Sequence, residues 1–274
     1  MKLQGAAQHL DDIAKYNVDR WRSLASADAI FTRPDFRLDR NSARKRLDPQ
    51  GKLGDVAGKE VLCLAGGGGQ QSIAFALLDA NVTVADLSEE QLQRDADAGA
   101  RYNLKLNLLH KDMRDLSSLS ESSFDVVYHP YSVNFVPDVR GVFRQVARVL
   151  RTGGIYHFSC ANPAFMGIRG SDWTGKGYLI TLPYIDGAEI VYPDEGWVFR
   201  GKPPHQSIPL CKEYRHTITT LVKGLVEHGF VITDLTEENF GTPDSESEPG
   251  TPEHLSAFAP PWLIFWAKKD RTPA

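Results

Sequence analysis

Four consecutive glycines, Gly66 to Gly69, follow an apolar run over residues 61–65 and precede a helical stretch that opens near Gln70. Because glycine has no side chain, the backbone can turn sharply there and lie directly against a ligand. The free N–H groups at the start of the next helix favour negative charge. A merely flexible loop is the alternative, but flexible tracts rarely lie between a buried strand and a buried helix. The order strand, glycine turn, helix therefore predicts the ligand-binding turn of an open α/β sheet.

The turn belongs to a longer alternation of apolar runs and helical stretches between residues 55 and 160. This alternation predicts a mostly parallel sheet with helices on both faces. The predicted strands cover residues 61–65, 82–87, 106–110, 124–129, 154–159, 230–235 and 262–267. Ser88 and Gln91 form a helix-start signature, and a helix from Val139 is predicted to stop at Gly153 and Gly154. A segment rich in Pro, Ser and acidic residues separates the last two strands, so we expect them to pair antiparallel.

Two segments lie outside the alternation. Residues 1–50 contain a predicted helix around residues 13–24, and residues 160–213 are rich in Gly, Pro and aromatic side chains. We interpret the chain, 1–274, as one domain with an N-terminal cap segment and an insertion after the fifth strand that forms a lid or substrate region. The alternative for the insertion is that its aromatic residues bury a loop-rich flap against the core.

Composition restricts the possible partners and compartments. The chain has 31 basic and 35 acidic residues, a formal charge of −4, which lacks the basic excess that nucleic-acid binding needs. Cys63, Cys160 and Cys211 are too few and too far apart to predict a disulfide framework or a zinc site, and they suit a reducing compartment. The N-terminus lacks an apolar secretion signal, and the uncharged run 61–78 has glycines and amides at its centre. We expect a cytoplasmic protein with no nucleic-acid or membrane partner, and the sequence predicts no oligomeric state.

The spacing around the glycines indicates which ligand the turn binds. Gln71 stands where a dinucleotide-binding motif needs its third glycine, and no Gly-Lys-Ser/Thr follows as in a phosphate-binding P-loop. Asp86 ends the second strand 20 residues after Gly66, where a carboxylate can accept both hydroxyls of a ribose, although an N-cap for the next helix is the alternative. Asp112 follows the third strand, where it can accept from an adenine amino group. These residues together favour an adenosyl ligand.

The same residues resemble the class I S-adenosylmethionine-dependent methyltransferases, in particular the small-molecule, type 11-like group. Residues 61–69 resemble the first motif, 124–138 the fourth and 146–159 the segment through the fifth strand. The resemblance implies a Rossmann-like seven-stranded sheet with an antiparallel C-terminal strand and S-adenosylmethionine as the cofactor. It implies cofactor contacts from Ala65, Gly66, Gly67, Gly68, Gln70, Gln71, Asp86, Leu87, Asp112, Met113 and Pro130.

Two positions depart from the family pattern. Cys63 stands where the family usually has Asp or Glu, and Ala65 replaces the first glycine of the motif. The missing acid ordinarily orients the amino-acid end of the cofactor. Amides carry both donors and acceptors, so we hypothesise that Gln70 and Gln71 compensate by meeting the ammonium and carboxylate groups.

Methyl transfer from a sulfonium is an in-line displacement, so the protein mainly positions the acceptor and excludes water. Near the end of the fourth strand, His129 and Tyr131 are candidate catalytic bases. The alternatives are that His129 satisfies the backbone at the pocket rim and that Tyr131 shapes the pocket. Predicted substrate contacts are Tyr131, Asn134, Tyr184 and Trp197. The histidines show no metal-binding spacing with neighbouring acids, so we expect no metal.

These patterns predict an enzyme that transfers a methyl group from S-adenosylmethionine to a small-molecule acceptor. The first alternative is an NAD(P)-dependent oxidoreductase of Rossmann type, but such an enzyme needs a third glycine at the position where this chain has Gln71. The second is a non-catalytic relative that binds the cofactor. This alternative remains because Cys63 stands where the family usually has an acidic residue.

Overall fold

The computed structural model describes residues 10–194, 198–199, 207–239 and 241–270. Its strands are β1 (Glu60–Leu64), β2 (Asn81–Asp86), β3 (Asn107–His110), β4 (Phe124–His129), β5 (Leu150–Ala161), β6 (Glu189–Tyr192), β7 (Cys211–Tyr214), β8 (Phe230–Glu238) and β9 (Trp262–Lys269). Seven of them form one sheet in the order β3-β2-β1-β4-β5-β9-β8, and β6 pairs with β7 separately. Strands β1 to β5 are parallel, whereas β9 runs antiparallel to both β5 and β8. The predicted Rossmann-like sheet is confirmed.

The helices are α1 (Asp12–Ser26), α2 (Arg40–Leu47), α3 (Gln71–Leu77), α4 (Glu89–Tyr102), α5 (Val139–Val149), α6 (Ile218–Glu227) and α7 (Pro252–Phe258). Ser88 caps α4 as predicted, because its hydroxyl accepts from the Gln91 N–H at 3.2 Å. The predicted stop of α5 at Gly153 and Gly154 is wrong. That helix ends at Val149, and both glycines lie inside β5, which begins at Leu150.

Both faces of the sheet are buried. Along β1, Leu62 and Leu64 belong to the core under α5 and α6, while Val61 and Cys63 belong to the core under α3 and α4. Successive residues of a strand point to opposite faces, which explains why β1 is an uninterrupted apolar run.

The predicted cap and insertion meet each other in a third, smaller core. Leu24 of α1 packs there with Ala29, Val198, Phe199 and Ile208. The N-terminal segment and the insertion are therefore in direct contact.

The described part of the chain contains no helix that is both long enough and apolar enough to cross a membrane. Within the same ranges, no three His, Cys, Asp or Glu side chains form a group suited to a metal ion. Cys63, Cys160 and Cys211 are buried free thiols.

Candidate functional site

A cavity of about 920 Å³ lies where several parallel strands end. Ala65 follows β1, Asp86 ends β2, Pro130 follows β4 and Ala161 ends β5, and all four line the cavity. Other walls come from α1 and from the β6–β7 pair. Ligands of open α/β sheets bind at this edge, so the cavity is the candidate active site.

The glycine turn is shaped by close packing against the protein itself. A Cβ on Gly67 would lie 2.6 Å from the Gln91 Cβ and 2.9 Å from the Asp86 Oδ2, so only glycine fits there. Gly68 and Gly69 adopt φ of +110° and +73°, which L side chains rarely adopt. Ala65 also has a positive φ of +46°, so this chain holds a non-glycine residue in a conformation that favours glycine.

Asp86 joins the turn to the end of β2. Its Oδ2 accepts from the Gly67 N–H and its Oδ1 from the Ser88 N–H, both at 2.8 Å. Burial raises the pKa of Asp86, and the two backbone hydrogen bonds oppose that rise. The N-cap of α4 is Ser88, so the alternative role for Asp86 is not observed. Each carboxylate oxygen keeps a lone pair for a ligand hydroxyl.

Asp95, which the sequence analysis missed, holds the glycine turn from α4. Its Oδ2 accepts from the Gly68 N–H at 2.8 Å, and its Oδ1 accepts from the Gly69 N–H at 3.0 Å and from the Ser72 hydroxyl. The side chain is completely buried, and burial raises the pKa of Asp95 to about 7. The sequence feature that could have revealed this role is an acidic residue, Asp95, on the same buried face of α4 as Leu92.

Asp112 and Met113, the predicted adenine-contacting pair, both line the cavity. Arg114 binds the Asp112 carboxylate through Nη2 at 2.6 Å and reaches Asp11, the N-cap of α1, through Nη1 at 2.7 Å. The hydrogen bonds from Arg114 lower the pKa of Asp11 to about 2. This bridge fastens the start of α1 beside the predicted adenine site.

The two glutamines after the turn have different surroundings. The Gln70 Nε2 donates to the carbonyls of Phe31 and Arg33 at 3.1 and 3.0 Å, and its Oε1 accepts from Arg46 at 3.2 Å. Its amide therefore ties the N-terminal segment to the turn, so compensation for Cys63 by this amide is not supported. Gln71 also lines the cavity, and its side chain has no hydrogen bond within the described ranges.

His129 does not reach the cavity. It is the last residue of β4 and pairs with Phe158, so its ring lies in the core, where Nδ1 contacts the Tyr156 hydroxyl at 3.0 Å. Burial lowers the pKa of His129 to about 3. We therefore correct the predicted base role: this histidine is a neutral core residue.

Of the other predicted residues, Asn134 and Tyr184 lie outside the cavity lining. Asn134 accepts from the Ala161 N–H at 2.8 Å and donates to the Tyr214 carbonyl at 3.1 Å, which joins β5 to β7. Tyr184 is 51% exposed and accepts from the Ile218 N–H. Both placements correct the predicted substrate contacts, and Trp197 lies outside the described residues.

Gly68, a predicted cofactor contact, does not line the cavity either. The predicted residues that the structure brings together around the cavity are Ala65, Gly66, Gly67, Gln70, Gln71, Asp86, Leu87, Asp112, Met113, Pro130 and Tyr131. The predicted cofactor residues therefore converge, whereas most of the predicted substrate residues do not.

A second cluster missed by the sequence analysis, formed by Glu213, Tyr131 and Tyr192, also lines the cavity. Glu213 on β7 is 3% exposed and lines the cavity. Its Oε1 accepts from the Tyr131 hydroxyl at 2.7 Å and its Oε2 from the Tyr192 hydroxyl at 2.9 Å. Burial raises the pKa of Glu213, and the two tyrosine hydroxyls oppose that rise. Apolar residues that line the same cavity include Phe135, Phe165, Met166, Ile168, Leu182, Val198 and Leu255.

Comparisons with known proteins match both the sheet and the turn. A family model described as a methyltransferase domain matches residues 62–158. The chain is 32% identical over 194 residues to the uncharacterized methyltransferase YbaJ of Bacillus subtilis (strain 168), a match that covers 68% of this chain and 71% of that protein.

Two further matches are more limited. The chain is 32% identical over 117 residues to the ubiquinone biosynthesis O-methyltransferase of Xanthomonas oryzae pv. oryzae (strain PXO99A), which covers 43% of this chain and 49% of the relative. It therefore spans about half the length of that protein. An S-adenosylmethionine-dependent methyltransferase from Mesorhizobium loti superposes with a TM-score of 0.62 at 24% identity, over 82% of this chain and 97% of that one. That likeness shows the fold.

Proposed function

This chain belongs to the class I S-adenosylmethionine-dependent methyltransferases, and from that membership we propose that it methylates a small organic molecule held in the cavity. The observation that carries the proposal is the composition of the cavity walls. The glycine turn, α1 and the β6–β7 pair all contribute to these walls. A site built from three parts of one chain suits a small acceptor better than a macromolecule.

The residues at the turn fit the cofactor. Asp86 keeps free lone pairs at the end of β2, and the backbone of Gly66 and Gly67 lines the cavity. We propose that Asp86 would hold the ribose, that Asp112 and Met113 would contact the adenine, and that Gln71 would meet the amino-acid end. When bound, S-adenosylmethionine supplies a methyl group that is already activated as a sulfonium.

The other role of the chain in this proposal is to position the methyl acceptor and to exclude water. Tyr131 directly follows Pro130, whose ring would lie 3.3 Å from a Cβ on Gly66. We propose that Tyr131 orients the acceptor beside the turn, while Trp21 of α1 and Phe135, whose rings are 5.9 Å apart, help to exclude water. Three buried free thiols are typical of a reducing compartment, so we place the reaction in the cytoplasm.

Transfer of a labelled methyl group tests the proposal. The protein is incubated with S-adenosylmethionine labelled in its methyl group and a cell extract separated by ultrafiltration into small molecules and macromolecules. We expect label in a small organic product, with S-adenosylhomocysteine formed in equal amount. Label found only in macromolecules would contradict a small acceptor, and no transfer to any fraction would favour the non-catalytic alternative.

A matched pair of variants controls for contaminating activity. Gly67→Ala forces a Cβ into Gln91 and should abolish the transfer, whereas Gly177→Ala adds a Cβ where nothing lies within 4 Å and should not. In the same preparations, S-adenosylhomocysteine at about 100 times its Kd should stabilise the wild-type fold by about 2.7 kcal/mol. NAD should leave the stability unchanged, which separates this function from the oxidoreductase alternative.

A further inference from the structure

Glu213 is a buried carboxylate in the cavity lining, and its hydrogen-bond donors among the described residues are neutral. One tyrosine hydroxyl donates to each oxygen of Glu213, from Tyr131 and from Tyr192. A carboxylate has about four lone-pair sites, so each oxygen can accept one more hydrogen bond. Because Glu213 lines the cavity, that bond is available to a ligand.

Within the described ranges, no ion pair joins Glu213 to a cation. Arg20 lies nearby, but its guanidinium binds the Asp194 carboxylate at 2.5 Å and the Pro209 carbonyl. Lys212, the neighbour of Glu213 on β7, instead pairs with Glu189 at 3.2 Å. Arg20 and Asp194 balance each other, so no ion pair among the described residues compensates Glu213 when it is ionised.

In the described lining of the cavity, acidic residues outnumber basic residues. Acidic residues in the lining are Asp86, Asp112, Asp194, Glu213 and Glu238, against the basic residues Arg20, Arg114 and Arg169. Arg114 is engaged by Asp112 and Asp11. A buried carboxylate without a cation is energetically unfavourable, and an excess of acidic groups in a cleft attracts positive charge.

We infer that the acceptor carries a basic amine, bound as an ammonium group by Glu213, on an otherwise apolar body. The ammonium supplies the missing cation and donates to the remaining lone pairs of the carboxylate. Apolar residues that line the same cavity, such as Phe135, Met166 and Leu182, contact the apolar part. The inference rests on the proposed function in one respect, because it takes this cavity as the acceptor site.

Two matched probes test it: 2-phenylethylamine, which is cationic at neutral pH, and 2-phenylethanol, which has the same shape and no charge. Their dissociation constants are measured by ligand-observed NMR with the full chain, alone and with S-adenosylhomocysteine. We expect the wild type to bind the amine at least about tenfold more tightly than the alcohol. Glu213→Gln, which keeps the shape and removes the charge, should abolish this preference.

Glu189→Gln is the matched control. It removes a carboxylate from β6 in the same strand pair, but Glu189 does not line the cavity, so the amine preference should remain. Equal binding of the two probes by the wild type, or a preference that survives Glu213→Gln, would overturn the inference. An unchanged affinity of Glu213→Gln for S-adenosylhomocysteine shows that the variant is folded. A wild type that prefers the amine but does not bind S-adenosylhomocysteine would contradict the proposed function, while recognition of an ammonium group by Glu213 would still stand.

Discussion

At the residue scale, the acid that supports the glycine turn comes from an unexpected element. The resemblance to the methyltransferase family implies an acid in β1, where this chain has Cys63. The structure instead provides Asp95 from α4, which accepts from the N–H groups of Gly68 and Gly69. The carboxylate lies behind the turn and fixes its backbone, so Asp95 is a positioning residue.

Replacing this acid should change how stability depends on pH. Burial raises the pKa of Asp95 from its ordinary 3.8 to about 7. Between these values the folded chain keeps a proton that the unfolded chain has lost. The stabilising contribution of the protonated acid is therefore complete below pH 3.8 and is lost as the pH rises to about 7. Asp95→Asn has no carboxyl group that titrates in this range. As the pH rises, the free energy of unfolding of the wild type should therefore fall relative to that of the variant, by on the order of 4 kcal/mol across the range.

Urea unfolding of both proteins at a series of pH values measures this difference. The comparison with Asp95→Asn cancels the titration of the other carboxylates. Parallel pH profiles for the two proteins would show that Asp95 has an ordinary pKa.

The site residues that could be predicted are those whose position follows from the sheet. Asp86 and Asp112 come at or just after strand ends, and parallel strands end at one edge. Glu213 could not be predicted, because its partner Tyr131 is 82 residues away and no local pattern joins them. His129 was misplaced because both faces of β4 are buried, so periodicity does not indicate which way its last side chain points.

At the element scale, α1 is held by side-chain bonds to several other parts of the chain. Asp11 pairs with Arg114 after β3, Arg22 pairs with Glu90 of α4, Asn17 donates to the Phe135 carbonyl at 3.0 Å, and Tyr16 donates to the Leu210 carbonyl at 2.8 Å. These polar contacts add to the apolar packing of Leu24, and Asp11 serves both as N-cap and as anchor.

Removing that anchor should loosen the helix more than the sheet. Asp11→Ala deletes the hydrogen bond to the Ala14 N–H and the pairing with Arg114. We expect the opening free energy of α1, measured by amide hydrogen exchange, to fall by about 1–2 kcal/mol, with little change in β1 and β4. Asp12→Ala, which removes an exposed first-turn acid paired with Lys15, is the control and should have a smaller effect. An equal effect of both variants would contradict the anchoring role.

The seven strands of the large sheet could be predicted because each is an apolar run, but β6 and β7 could not. Along β6, exposed and half-buried residues alternate over only four positions, and the run includes Glu189. Strands this short are specified by the partner and by packing, so propensity carries little information. The end of α5 was misjudged for a related reason, because Gly153 and Gly154 lie inside β5, between Leu150 and Ile155, where its register against β4 shifts.

At the scale of the whole molecule, the cavity is completed by segments outside the matched methyltransferase region, 62–158. Binding of S-adenosylhomocysteine should therefore slow amide exchange in α1 and in the β6–β7 pair as well as at the glycine turn. The helix α6, which does not line the cavity, serves as the internal control. Protection confined to the turn would contradict the prediction that residues 1–50 and 160–213 act as cap and lid.

The place of β9 has a consequence for biosynthesis. β9 covers residues 262–269, yet it lies between β5 and β8 in the sheet. On the ribosome, β8 emerges before β9, the strand that connects it to the rest of the sheet, so β5 is exposed at an open edge until β9 has been made. A nascent chain of this protein therefore needs β9 before the sheet can close, and termination between β8 and β9 would release a polypeptide with an unprotected, aggregation-prone edge.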